Sequence, residues 1–235
     1  MSNFQFTRFN YLPPVIKNLL IINGLIFLAT LVFPDLLGKL ALYFPSSPDF
    51  KPYQIVTHMF SHANIGHIFF NMFALWMFGS VLENVWGPKR FLTFYLITGF
   101  GAAFLHMGVN AYQLYNSVGT LFPEVVMSDD MISGNYSQQQ LAKIASCFAP
   151  TVGASGAVYG ILIAFGMLFP NTLLYVYLLF PIKAKYLVII LIAVEIYFGF
   201  VNSPTDNVAH FAHLGGALFG FLLIKYWGRS KKRFY

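Results

Sequence analysis

The sequence predicts an all-α polytopic membrane protein built as a bundle of six transmembrane helices. Three observations carry that prediction. Only 9% of the 235 residues are charged while 57% are apolar, against about 25% charged in an average soluble domain; the mean hydropathy is +0.65. Charge-free runs extend over 18–34, 52–82, 91–123, 144–182 and 207–224, and about 20 apolar residues suffice to cross a bilayer core. The basic residues, finally, partition between the loops in a way that fits an even number of spans. A transmembrane β-barrel would show short segments of alternating polarity instead, and a signal peptide would leave one removable apolar stretch rather than many.

In order along the chain, helices are expected near 15–34, 57–83, 91–110, 152–170, 185–201 and 207–227. Pro34-Asp35 closes the first, Gly87-Pro88 separates the second from the third, Pro170-Asn171 ends the fourth, and Ser203-Pro204 interrupts the fifth and sixth. The ten residues Thr172 to Pro181 are too few to span as a helix, and their β-branched and aromatic content favours an extended or interfacial segment. The expected organisation is a short cytoplasmic N-terminal segment (1–14), a membrane domain (15–227) and a basic cytoplasmic tail (228–235). A long polar insertion at 110–150 lies outside the membrane. In it, Ser137 and Gln140 have capping-box spacing ahead of Leu141 and Ile144, which predicts a short amphipathic helix.

With six spans, 11 of the 14 Lys and Arg residues fall on the side holding both termini; the opposite side keeps Lys39, Lys51 and Lys143 with most of the acidic groups. The positive-inside rule then makes both termini cytoplasmic, with a bacterial inner membrane as the expected location. The formal charge of +6 thus reports topology, and nucleic acid is excluded as a partner. Cys147 is the sole cysteine, so neither an internal disulfide nor a CxxC pair is possible.

Polar groups inside spans are expensive and therefore candidates for function. The strongest signal is Gly153-Ala154-Ser155-Gly156-Ala157-Val158-Tyr159-Gly160, opening the fourth span. It reads either as a small-residue packing stripe or as a serine placed at a helix N-terminus, whose free N–H groups suit an oxyanion. The soluble-hydrolase elbow G-x-S-x-G does not fit, because position 157 is Ala. The sixth span opens with His210, Ala212-His213-Leu214-Gly215-Gly216 and Gly220. Its GxxxG face, Gly216 and Gly220, complements Gly156 and Gly160 on the fourth. If those faces meet, Ser155 and His213 stand at one depth, as a nucleophile and general base would; alone, His213 reads as a hydrogen-bonded core histidine. In the second span, His67 and Asn71 are i,i+4 on one face. His58 and His62 share that spacing and raise metal binding as a rival, but HExxH is absent and no acidic residue lies in these runs.

In this order and on these spans, Gly153 to Gly156 (GxSG), His67 with Asn71 (HxxxN) and Ala212 to Gly216 (AHxGG-like) resemble the rhomboid family of intramembrane serine proteases, from about His58 to Gly220. The resemblance implies Ser155 as nucleophile, His213 as general base, and an oxyanion hole of His67, Asn71 and the Ser155 N–H. It implies Tyr159 packing on the catalytic imidazole, Glu83 as a structural carboxylate and Phe70 at a lateral gate between spans two and five. Where the family has a Trp-Arg pair in the first loop, this chain has Tyr53-Gln54, so the anchoring ion pair is expected to be missing.

Asp206 is seven residues from His213 and Glu195 lies within span five, so the expectation is a Ser-His dyad without a carboxylate, with Glu195 bonded to a neighbouring helix or acting in gating. No cofactor and no metal are expected; the expected partners are the lipid bilayer and transmembrane protein substrates, cleaved near their outer ends. The alternatives are a non-catalytic rhomboid-like protein that binds membrane clients, a small-solute transporter, for which inverted repeats are not evident, and a histidine-based metal transporter.

Overall fold

The computed structural model describes residues 9–128, 131–176, 179–201 and 208–229. The expected break at Ser203-Pro204, Arg8 and the end of the basic tail lie outside them. Among the described residues the chain forms α1 (Pro14–Val32), α2 (Asp35–Leu40), α3 (Gln54–Thr57), α4 (Ile65–Ala74), a π-helical turn (Leu75–Gly79) leading into α5 (Ser80–Trp86), and α6 (Pro88–Val118). The hairpin β1 (Val125–Ser128) and β2 (Met131–Gly134) follows, then α7 (Gln138–Phe148), α8 (Ser155–Leu168), the hairpin β3 (Leu173–Val176) and β4 (Phe180–Lys183), α9 (Ala184–Val201) and α10 (His210–Arg229). Both hairpins are antiparallel and two-stranded. The protein is a polytopic helical membrane protein: α1, the stretch Ile65–Trp86, α6 and α9 are each long and apolar enough to cross a bilayer.

The helix limits follow from local chemistry. Pro14 occupies the first turn of α1, where a missing N–H costs nothing. Two of that helix's free donors, the N–H groups of Val15 and Ile16, each donate over 2.9 Å to the Glu83 carboxylate. Asn23 and Thr30, polar and buried within α1, donate to the carbonyls of Leu19 and Phe27 one turn back, so each donor finds its acceptor within its own helix. Gly87, at φ 78°, breaks the chain and Pro88 starts α6.

Three expectations change. The second span starts at Ile65 rather than 57, because the Asn64 side chain accepts from His67 N and caps the helix there. His58 and His62 therefore precede the helix and do not share a helical face. α6 runs to Val118 rather than 110, and its 31 residues measure about 46 Å, well beyond a core of about 30 Å. The polar insertion expected over 110–150 therefore carries more structure than the one short helix expected within it. The extension of α6, the first hairpin and α7 close around Phe44, Leu114, Ile144, Cys147 and Phe148. α7 begins at the Ser137–Gln140 capping box, and burial there pushes the Cys147 thiol above its ordinary range. Of the stretch expected to be extended, Leu173–Val176 forms β3, and β4 begins at Phe180.

The main core lies where α6, α8 and α10 meet, with α1 and the π-helical turn packed around it. The contacts are as close as glycine allows. A Cβ at Gly220 would stand 2.9 Å from the Gly160 Cα, and one at Gly216 would overlap the Gly156 carbonyl. α8 has 14 residues, about 21 Å, so one of its ends must lie within the membrane core. Its N-terminal approach is non-helical, which a membrane tolerates only where protein covers the backbone. Gly153 and Ala154 are buried, and Gly153 N–H donates to the His58 carbonyl at 2.9 Å.

Candidate active site

Ser155 is the first residue of α8, following Ala154, so its own N–H and those of the next two residues have no helical carbonyl one turn earlier to bond; the ladder begins with Val158 N–H on the Ala154 carbonyl. The close seam with α10 sets the depth of the opposing residue. Ser155 Oγ and His213 Nε2 lie 2.8 Å apart, although 58 positions separate them in sequence. The His213 ring stacks on Tyr159, with centroids 4.4 Å apart and planes 10° from parallel. Tyr159 sits one turn beyond Ser155 on α8 and its side chain thus braces the imidazole from below.

His67 approaches from α4. A side chain at Gly153 would collide with the His67 ring, 2.7 Å from Nε2, and would stand 3.5 Å from Ser155 Oγ. Gly153 has φ 127°, a conformation open to glycine, so sequence and backbone agree in leaving that space free between histidine and serine. Asn71 is buried, and its amide nitrogen donates to the His67 carbonyl over 2.9 Å. One amide hydrogen is thus used within the helix and a second remains. His62, wholly buried, packs edge-on against His67 at 5.0 Å. His58 turns Nδ1 to the Gln54 carbonyl, 2.8 Å away. Phe70 is 71% exposed on the flank of α4, against Phe69.

In the first loop, where the Trp-Arg pair is replaced, Tyr53 is half exposed and Gln54 is buried. Gln54 accepts from Lys51 N at 2.9 Å and donates to the Asp49 carbonyl at 3.0 Å. A neutral amide thereby ties the first loop together.

The expectation that no carboxylate faces His213 needs correction. Glu195 of α9 is 5% exposed, and its Oε2 lies 3.0 Å from His213 Nδ1 and 2.6 Å from His210 Nδ1. The Tyr159 hydroxyl donates to Oε1. The signal in the sequence was a lone carboxylate within an apolar helix, which costs about 2.5–3.5 kcal/mol to insert unless it is paired. Its pairing depends on how α9 turns against α8 and α10, which residue spacing does not encode. Glu195, His210 and His213 offer ligand atoms within 4.8 Å of one another. Tetrahedral metal ligands at about 2.0 Å, however, stand about 3.3 Å apart. The contacts of 2.6 and 3.0 Å to one oxygen are hydrogen-bond spacings.

Fold and site together define a class: a multi-pass helical membrane protein with a serine–histidine pair at the buried mouth of a short helix. Comparison with known proteins gives the family. The Rhomboid domain model matches residues 49–230, and the chain belongs to the rhomboid family. Similar proteins include RHOMBOID-like protein 12, mitochondrial, of Arabidopsis thaliana, 28% identical over 220 residues, covering 93% of this chain and 59% of that protein. Human Presenilin-associated rhomboid-like protein, mitochondrial, is 28% identical over 214 residues, covering 87% and 48%. Rhomboid protease GluP of Bacillus subtilis is 27% identical over 183 residues, covering 76% and 27%. The chain therefore spans between about a quarter and three-fifths of the length of these relatives.

Proposed function

We propose that the protein is an intramembrane serine endopeptidase that cleaves transmembrane helices of membrane-protein substrates near their outer ends. The observation that carries this reading is the 2.8 Å contact between Ser155 Oγ and His213 Nε2 at the N-terminus of a helix too short to span the bilayer. Peptide hydrolysis needs a nucleophile, a base, donors for the tetrahedral oxyanion, and water. In this reading His213 Nε2 takes the hydroxyl proton as Ser155 Oγ attacks the scissile carbonyl, then gives it to the departing amide nitrogen. Water, deprotonated by the same imidazole, releases the acyl group.

The His67 ring and the Ser155 hydroxyl border the space beside Gly153; in this reading that ring and the Ser155 N–H supply oxyanion donors, with Asn71 contributing its second amide hydrogen. Both termini are cytoplasmic in this proposal and the membrane is a bacterial inner membrane; several of the similar proteins carry mitochondrial names. One similar protein is named a protease, in agreement with the chemistry. A client-binding protein without hydrolysis would have no use for a bonded serine and imidazole.

Ser155→Ala and His213→Ala should each abolish cleavage of a transmembrane reporter reconstituted in liposomes. Ser155→Ala should also abolish labelling by a fluorophosphonate. Cleavage persisting in either purified variant would overturn the reading and favour the client-binding one.

A further inference from the structure

Resting on that reading, we propose that Glu195 completes a serine–histidine–carboxylate chain across three helices, as the positioning residue of His213. A single carboxylate oxygen, Oε2, faces the nitrogen of His213 opposite the one that meets Ser155, at 3.0 Å. As placed, the Nδ1–H direction is off the line to Oε2, since Nδ1 makes no hydrogen bond of good geometry. In the proposed arrangement the ring turns to bring it into line. The carboxylate is itself held from two more directions, by His210 Nδ1 at 2.6 Å and by the Tyr159 hydroxyl on the other oxygen. Tyr159 also stacks on the His213 ring, so one side chain fixes both members of the pair.

The arrangement has two consequences for the reaction. A carboxylate accepts only, so it selects the His213 tautomer with hydrogen on Nδ1 and leaves the Nε2 lone pair for the Ser155 proton. When that proton arrives, the imidazole becomes a cation in a site that excludes bulk water, and the anion 3.0 Å away balances it. Glu195 keeps its negative charge throughout; the proton moves from Ser155 Oγ to Nε2 and on to the leaving amide nitrogen. α9 contributes nothing to the Ser155–His213 contact itself, so Glu195 reaches the reaction only through the imidazole.

The test compares Glu195→Gln and Glu195→Asp with the wild type, using the liposome reporter for kcat and KM and a fluorophosphonate for labelling rate. Glu195→Gln, which keeps the shape and removes the charge, should lower kcat roughly 100- to 10,000-fold with KM little changed. Labelling should slow in parallel, and Glu195→Asp should recover part of the loss. A folded Glu195→Gln protein with kcat within threefold of wild type would overturn the proposal, as would equal losses in the Gln and Asp variants. If labelling remains Ser155-dependent in that case, the protease reading stands and this inference alone falls; labelling of Ser155→Ala would instead remove the nucleophile first.

Should the Gln variant fail to fold, nitrogen-15 histidine spectra of the wild-type protein decide. With His213 assigned by comparison with His213→Gln, hydrogen on Nδ1 is the expected tautomer. Hydrogen on Nε2 would refute the assignment.

Discussion

The seam between α8 and α10 and the flank formed by α4 and α9 solve opposite problems with the same apolar alphabet. In the seam, Gly156, Gly160, Gly216 and Gly220 are buried and bring two backbones together without side chains between them. On the flank, Phe69, Phe70, Tyr197 and Phe200 are 60%, 71%, 62% and 78% exposed, as lipid-facing groups would be. The nucleophile and base proposed here belong to the seam, where position is set by backbone contact. Their proposed accessories, Glu195, Asn71 and His67, come from the flanking helices. The difference teaches that the relative depth of Ser155 and His213 is set by a close backbone approach, while the proposed accessory groups arrive on less enclosed elements.

The sharpest way to break the seam is Gly216→Ala. One added methyl would overlap the Gly156 carbonyl, and a backbone cannot yield as a side-chain tip does. Overpacking of this kind costs typically about 1–3 kcal/mol, and more against backbone. A displacement of about 1 Å at a reacting centre can lower rate roughly 100-fold. Thermal unfolding in detergent should show a clear fall in melting temperature, and reporter cleavage should drop at least about 100-fold. A protein of wild-type stability and activity would show that the seam does not position the site.

Much of this seam was legible in the sequence because small residues four apart announce close helix contact whatever the partner. The glycine faces, Ser155 opening α8 and the capping box at Ser137 are all local or periodic signals. The limits of α4 were missed since its start depends on one capping side chain, Asn64, within a run that carries no charge. The extension of α6 beyond 110 was missed because the helix continues past the bilayer, where neither span length nor hydropathy marks a helix end. Glu195 was visible as an unusual residue but not as a neighbour of His213. Its contact depends on the rotation of α9 about its own axis, and α9 is apolar on nearly every face, so periodicity gives that rotation no preferred direction.

The flank predicts a smaller and more selective effect. Phe70→Ala removes an exposed ring from α4 without opening a cavity, and exposed substitutions usually stay within about 0.5 kcal/mol in stability. Ser155 labelling by a small fluorophosphonate should be unchanged, whereas cleavage of a transmembrane reporter, which must pass between helices, should change a few-fold. Equal changes in both assays would place Phe70 at the reacting groups and not at the entry path; no change in either would remove it from the substrate route.

The comparison also sets a lower bound through a glycine outside the seam. Gly24 lies in α1 with nothing within 4 Å of the position its Cβ would take. It neither adopts a positive φ nor brings two backbones together. Glycine inside a helix costs about 0.5–1 kcal/mol relative to alanine through chain entropy, so Gly24→Ala should leave cleavage unchanged and raise stability by no more than that. Thermal unfolding of Gly24→Ala beside Gly216→Ala then measures the same methyl in open space and against a carbonyl. If both substitutions destabilised equally, glycine would be acting through helix propensity everywhere, and the close approach of α8 to α10 would lose its claim to set the geometry of Ser155 and His213.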